Sequence, residues 1–200
     1  MSRLDLIVGP NGAGKSTFVR EYLLASLPPG TLFVNADEIA RARWPGAEAE
    51  HSYEAARIAA DTRDRLLTLR QPFIAETVFS HPSKLDLIDN ALAAGYTVAL
   101  HVIVVPLVIS QHRVTLRVAQ GGHKVPPEKI ASRYTRLWPL VVDAIGRADS
   151  AGVWDNSGRQ PVKVAEFIGG LPVSPPRWPA WTPSPLAARR SDLTPAWQVK

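Results

Sequence analysis

The sequence holds no cysteine in its 200 residues, which excludes both a disulfide framework and a thiolate zinc site. It has no apolar run long enough to span a bilayer. A secretory leader is missing too, since Asp5 interrupts the first apolar run and a glycine-rich segment follows at once. A cytoplasmic protein without a membrane partner is expected. Excess charge is also scarce, with 23 Lys and Arg against 18 Asp and Glu and a net charge of +5. That balance permits a nucleic-acid partner without requiring one, and none is expected. The length suits a single domain with a substantial core, and the 46% apolar share is ordinary for a globular chain.

What is present starts at residue 9. Gly9-Pro10-Asn11-Gly12-Ala13-Gly14-Lys15-Ser16-Thr17 satisfies G-x-x-x-x-G-K-[ST] in full, in the setting that the motif needs. Leu4, Leu6, Ile7 and Val8 read as a buried strand leading into it, and Ser16 to Leu27 reads as a helix leaving it. The glycines allow a tight loop whose amides converge on phosphate oxygens, and the helix dipole adds positive charge there. Residues 9–17 are thus the nucleotide cradle, with Lys15 reaching the β/γ-phosphates and the Ser16 hydroxyl ligating Mg²⁺.

Downstream, strand and helix patterns alternate. Strands are expected at Thr31–Asn35, Phe73–Phe79, Thr97–Val105, Ser150–Trp154 and Val162–Ile168. A helix is expected over Glu48–Arg70, with Ala56, Ala60, Arg63 and Leu67 on one face. Another runs from Pro82 to a stop at Gly95, and a third over Leu107–Ala119. A fourth begins after Pro127, with a kink near Leu137 caused by Pro139. Such alternation implies a P-loop NTPase of the nucleotide-kinase type, an α/β fold with helices on both faces of a parallel sheet. Ligands bind at the carboxyl ends of such strands, which gathers the loop, Asp37, Glu76 and the segment after Val105 around one crevice. Residues 1–170 form the kinase domain. Residues 171–200 form a tail whose prolines rule out regular structure and whose Trp178, Trp181 and Trp197 argue for docking as much as for disorder.

A phosphate loop alone does not separate motors, GTPases and kinases. The chain lacks the L-S-G-G-Q signature and the Asp-Glu strand end of transporter ATPases, and it lacks an Asn-Lys-x-Asp guanine reader. A small phosphotransferase remains. Asp37, just past the second strand, is the candidate base for an incoming hydroxyl, with Glu38 as rival and helix capping as its other reading. Glu76 sits inside an apolar strand, so it is either paired with a structural partner such as an arginine or functional, holding Mg²⁺ through water or gripping an acceptor hydroxyl. Arg113 and Arg117 share a helix face, and Arg133 borders the stripe formed by Ile130 and Tyr134. Guanidinium groups there would neutralise a transferring phosphoryl group. Gly121-Gly122 would let these helices close, His123 is a loop residue, and Asn156 would meet the adenine edge. An ATP-binding regulatory module whose tail recruits a partner is the non-enzymatic alternative.

As an ordered set these pieces resemble the zeta-toxin family of phosphate-loop kinases. The matching segments are residues 9–17, 34–40, 73–77 and 95–98, the run from Arg117, Arg133-Tyr134, and Trp154-Asp155-Asn156-Ser157. The resemblance implies ATP-dependent phosphorylation of UDP-N-acetylglucosamine on a sugar hydroxyl, and a protein antitoxin as partner. It implies Asp37 as base, Lys15 as phosphate clamp, Arg117 and Arg133 as charge neutralisers and Glu76 as the acceptor-side acid. The family carries a further acidic residue on the helix before the third strand, where only Asp61 or Asp64 could match.

Overall fold

The computed structural model describes residues 2–119 and 126–188. Strand β1 (Arg3–Val8) leads through the loop at residues 9–14 into α1 (Lys15–Phe18). The helical path continues with a wider π turn over Val19–Leu23 and a 3₁₀ turn over Leu24–Ser26, not the uniform α-helix that the sequence suggests. Then follow β2 (Leu32–Val34), α2 (Ala36–Arg43), α3 (Ser52–Leu69), β3 (Phe73–Thr77) and a 3₁₀ turn at Pro82–Lys84. After these come α4 (Leu85–Ala93), β4 (Thr97–Val104), α5 (Leu107–Ala119), α6 (Pro127–Arg147), β5 (Ser150–Asp155), β6 (Val162–Ile168), β7 (Leu171–Pro172) and α7 (Ser184–Ala188).

One seven-stranded sheet has the order β2-β3-β1-β4-β5-β6-β7. Its first five strands are parallel, while β6 and β7 run antiparallel, so one edge is mixed and β7 closes it. Side-chain alternation divides the core. Leu4, Leu6, Val8, Phe73, Ala75, Val98, Leu100 and Val102 pack with residues of α3, α4 and α6 on one face, while Ile7, Ile74 and Ile103 meet Phe18, Val19 and Leu23 on the other. The central strands β1, β3 and β4 are buried on both faces, as parallel strands between helical layers require, while β2, β6 and β7 carry exposed residues. Asp5, on the second face, is 2% exposed and accepts from the Arg3 guanidinium at 2.7 and 2.8 Å; His101 Nε2 lies 2.8 Å from it.

Several expectations change here. On α3 the buried residues are Ala55, Ala59, Leu66 and Leu67, so the core stripe lies one residue away from Ala56 and Ala60, and Ala56 is exposed. Pro139 does not break α6 into two elements: it lies inside one helix, at the place where the sequence expects a kink. Prolines do not rule out structure after residue 170: Leu171–Pro172 pairs with β6, Ser184–Ala188 is helical, Leu186 is fully buried, and Trp178 and Trp181 pack against the main core. Gly121, Gly122, His123 and Trp197 lie outside the described residues. No helix among the described residues is long and apolar enough to cross a membrane.

Candidate active site

The loop leaves β1 at the carboxyl edge of the sheet and is braced from three sides. Gly12 has φ +71°, and a Cβ there would lie 2.6 Å from the Ser110 carbonyl oxygen of α5. Gly14 has φ +86°, and its Cβ would lie 2.5 Å from Asn156 Nδ2. Both positions need glycine for the left-handed backbone and for the close approach. The Ser110 hydroxyl donates to the Asn11 carbonyl at 2.6 Å, and Asn156 Nδ2 donates to the Ala13 carbonyl at 2.7 Å. Asn156 thus braces the loop through one of its two amide protons. The backbone amide of Phe18 donates to the Gly14 carbonyl at 2.9 Å, so α1 starts directly from the loop.

Lys15 is 7% exposed, and its ammonium donates to the carbonyls of Gly9 and Pro10, each at 3.1 Å. Glu76 Oε1 lies 3.8 Å away. Burial holds the Lys15 ammonium below the ordinary lysine value; Glu76 and Asp37 oppose that shift, and Arg117 adds to it. The charges of Asp37 and Arg117 are thus felt at Lys15.

Glu76 is the penultimate residue of β3, beside the loop strand and in register with Ile7. Its Oε2 accepts from the Ser16 hydroxyl and from Asn35 Nδ2, both at 2.7 Å. The partners of this carboxylate are a lysine, a serine and an asparagine; an arginine, the structural alternative to a functional role, is not among them. Asn35 is the N-cap of α2, its Oδ1 accepting from the amides of Asp37 at 2.8 Å and Glu38 at 3.3 Å. Capping therefore belongs to Asn35, and the Asp37 carboxylate is left free of that duty. Glu38, the rival base, pairs with Arg20 instead.

These groups share one cavity of about 580 Å³, lined among others by Asn11, Lys15, Ser16, Thr17, Asn35, Asp37, Glu76, Arg117 and Arg133. Arg113 does not line it, and neither do Asp61 or Asp64; the α3 residues that do are Ala56, Ala59 and Arg63. Asn35 is one site residue that the sequence reading missed, and Arg41, Arg63 and Lys84 also line the cavity. The signal for Asn35 was the spacing Asn35-Ala36-Asp37-Glu38, an N-cap followed by an acidic residue at the third helical position.

Among the described residues no cluster of three or more His, Cys, Asp or Glu side chains could hold a metal ion alone. The oxygen donors at the loop are the Ser16 hydroxyl and the Glu76 carboxylate, 2.7 Å apart. A hard, partly hydrated Mg²⁺ shared with phosphate oxygens fits such a donor set, whereas an all-protein cage does not form. Asn11 Oδ1, buried at the same loop, has no protein partner among the described residues.

A mostly parallel sheet with this loop after its central strand, and carboxylates at neighbouring strand ends, defines a P-loop NTPase fold of the kinase type. The Zeta toxin family model matches residues 3–145. The chain belongs to that family. No curated protein matches the sequence. Among solved structures, the AvrRxo1-ORF1:AvrRxo1-ORF2 complex with sulphate ions is similar at TM-score 0.68 and 20% identity, over 86% of this chain and 60% of that chain. The same pair solved with ATP gives TM-score 0.66 at 20% identity, over the same 86% and 60%. The PezAT chromosomal toxin-antitoxin system of Streptococcus pneumoniae gives TM-score 0.59 at 14% identity, over 82% of this chain and 72% of that chain. The protein thus spans about 60% of the AvrRxo1 chain that it matches.

Proposed function

We propose that the protein transfers the γ-phosphate of ATP to a hydroxyl of a small molecule, with UDP-N-acetylglucosamine as the acceptor. The observation that carries this reading is the meeting of Asp37, Glu76, Lys15, Ser16, Arg117 and Arg133 on one cavity beside the glycine loop. A solved structure of similar fold that contains ATP supports the choice of nucleotide.

Asp37 accepts the proton of the acceptor hydroxyl as its oxygen attacks the γ-phosphorus, and the bond from that phosphorus to the β-bridging oxygen breaks to release ADP. Lys15 draws the β- and γ-phosphate oxygens toward the loop amides. Arg117 and Arg133, on α5 and α6, offset charge that spreads over the transferring group. Ser16 and Glu76 would hold Mg²⁺, which when bound with the nucleotide supplies further charge neutralisation. The Ser16 proton already points to Glu76, so the hydroxyl's lone pair is left for the metal. Asn35 keeps the Glu76 carboxylate aimed between loop and acceptor. Cytoplasm is where ATP and nucleotide sugars meet such an enzyme, and the partner we propose is a protein antitoxin.

Incubation with γ-labelled ATP, Mg²⁺ and separate acceptors tests the assignment. Label on UDP-N-acetylglucosamine supports it in full. Label only on free N-acetylglucosamine, a nucleoside or a 5′-hydroxyl oligonucleotide replaces the acceptor, and label released only as inorganic phosphate in every mixture refutes the transferase.

A further inference from the structure

Arg133 reaches the cavity from α6, yet its guanidinium makes no ion pair or side-chain hydrogen bond among the described residues. The position of that charge is therefore decided by the helix that carries it and not by a local partner. The helix is lightly held at this point. Leu137, Trp138, Val141, Ala144 and Ile145 root its later part in the main core. Between residues 128 and 136, Ile130 alone is buried, and it belongs to neither core cluster. Pro139 also lacks the amide that would bond the Thr135 carbonyl, which loosens the join between the two parts.

Tyr134, next to Arg133, supplies the anchor. Its hydroxyl donates to the Val105 carbonyl at 2.9 Å, and its ring meets Trp138 edge-on with centroids 5.2 Å apart. Val105 is fully buried and lies just past the end of β4, so its carbonyl needs such a donor. Burial pushes the Tyr134 phenol up to about 12, which keeps the proton on the donor at neutral pH. Val105 is also the joint from which α5 departs. The Ser110 amide donates to the Pro106 carbonyl at 3.0 Å, the Ser110 hydroxyl holds the Asn11 carbonyl of the loop, and Arg117 stands further along the same helix. One phenol thus ties the helix of Arg133 to the root of the helix that bears Arg117 and braces the loop.

We propose that Tyr134 is a positioning residue for phosphoryl transfer, setting where Arg133 stands against the glycine loop and so the spacing of the two arginines across the γ-phosphate. The inference rests on the phosphotransfer reading. Tyr134 does not itself line the cavity, so it acts through its neighbour. Charge neutralisation works at a defined distance, and a displacement of about 1 Å at a reacting centre costs about 10²-fold in rate.

Tyr134→Phe removes the hydroxyl and keeps the ring against Trp138. In quench-flow with ATP, Mg²⁺ and UDP-N-acetylglucosamine, kcat should fall about 10–10²-fold while KM for ATP stays within about threefold. A double-mutant cycle separates positioning from mere support of the fold. On an Arg133→Ala background, Tyr134→Phe should change kcat by less than about threefold, whereas the melting temperature should fall equally on both backgrounds, by about 2–8 °C. An unchanged kcat in Tyr134→Phe, or the same fold loss on both backgrounds, overturns the inference. Absence of transfer to any acceptor by the unmodified protein overturns the phosphotransfer reading instead. The cycle is then read on affinity for ADP with aluminium fluoride, a mimic of the transferring group. There Tyr134→Phe should weaken binding about tenfold with Arg133 in place and less than about threefold without it. Equal weakening on both backgrounds, or none, overturns the inference.

Discussion

Replacing Asn35 by alanine should damage the fold and the site together, because one side chain serves both. Its Oδ1 caps α2 through the amides of Asp37 and Glu38, and its Nδ2 donates to Glu76 at 2.7 Å. Loss of an asparagine cap costs about 0.5–2 kcal/mol. Loss of a hydrogen bond to a buried carboxylate costs about 1.5–3 kcal/mol more. Together Asn35→Ala should lose roughly 2–5 kcal/mol, since Asn35 is only 5% exposed and water cannot readily replace it. Urea unfolding followed by circular dichroism measures the total. A double-mutant cycle apportions it: on a Glu76→Ala background, which offers Asn35 Nδ2 no acceptor, the same change should cost only the cap, about 1 kcal/mol. A loss below about 0.5 kcal/mol for Asn35→Ala alone, or an identical loss on both backgrounds, would refute the shared role.

Gly14→Ala should cost about 1–2 kcal/mol in backbone strain, plus displacement of Asn156, whose amide would stand 2.5 Å from the new methyl carbon; thermal unfolding and ATP-analogue titration should both register it. The Asp5 carboxyl is pushed up by burial, but its hydrogen bonds with His101 and Arg3 outweigh this and hold it below the ordinary value of 3.8. Its contribution to stability is therefore complete above pH 3.8 and is lost as pH falls through the lower folded value. Asp5→Asn should be less stable than the unmodified protein at pH 7, with the gap closing in that acid window when unfolding is measured across pH.

How much of this was legible from sequence depends on how local the cause is. The loop at residues 9–17 announced itself because its glycines answer a local backbone need, and residues flanking Gly12 and Gly14 bear that need out. Asp37 and Glu76 were legible as strand-end carboxylates near the loop, since a βα alternation fixes which ends meet. The partners of Glu76 were not legible, because Ser16 and Asn35 lie 60 and 41 residues away in sequence. Helix α3 hid its core stripe, since its alanines offer two faces of similar apolarity and tertiary packing chose Ala55 and Ala59. The segment after residue 170 was misread because prolines were counted without their positions. In α7, Pro185 falls in the first turn, where its missing amide costs nothing, and Leu186 anchors the helix in the core. The π turn after α1 follows from no local pattern in Val19–Leu23 that we can identify.

The base assignment is tested most directly by Asp37→Asn. Capping does not depend on this carboxylate, because Asn35 performs it, so stability should change by no more than about 1 kcal/mol, the size of a helix-dipole contribution. Quench-flow transfer of labelled γ-phosphate to UDP-N-acetylglucosamine should slow by about 10²–10⁴-fold, with ATP-analogue affinity retained. Transfer by a folded Asp37→Asn protein at a rate within a few fold of the unmodified enzyme would contradict the account.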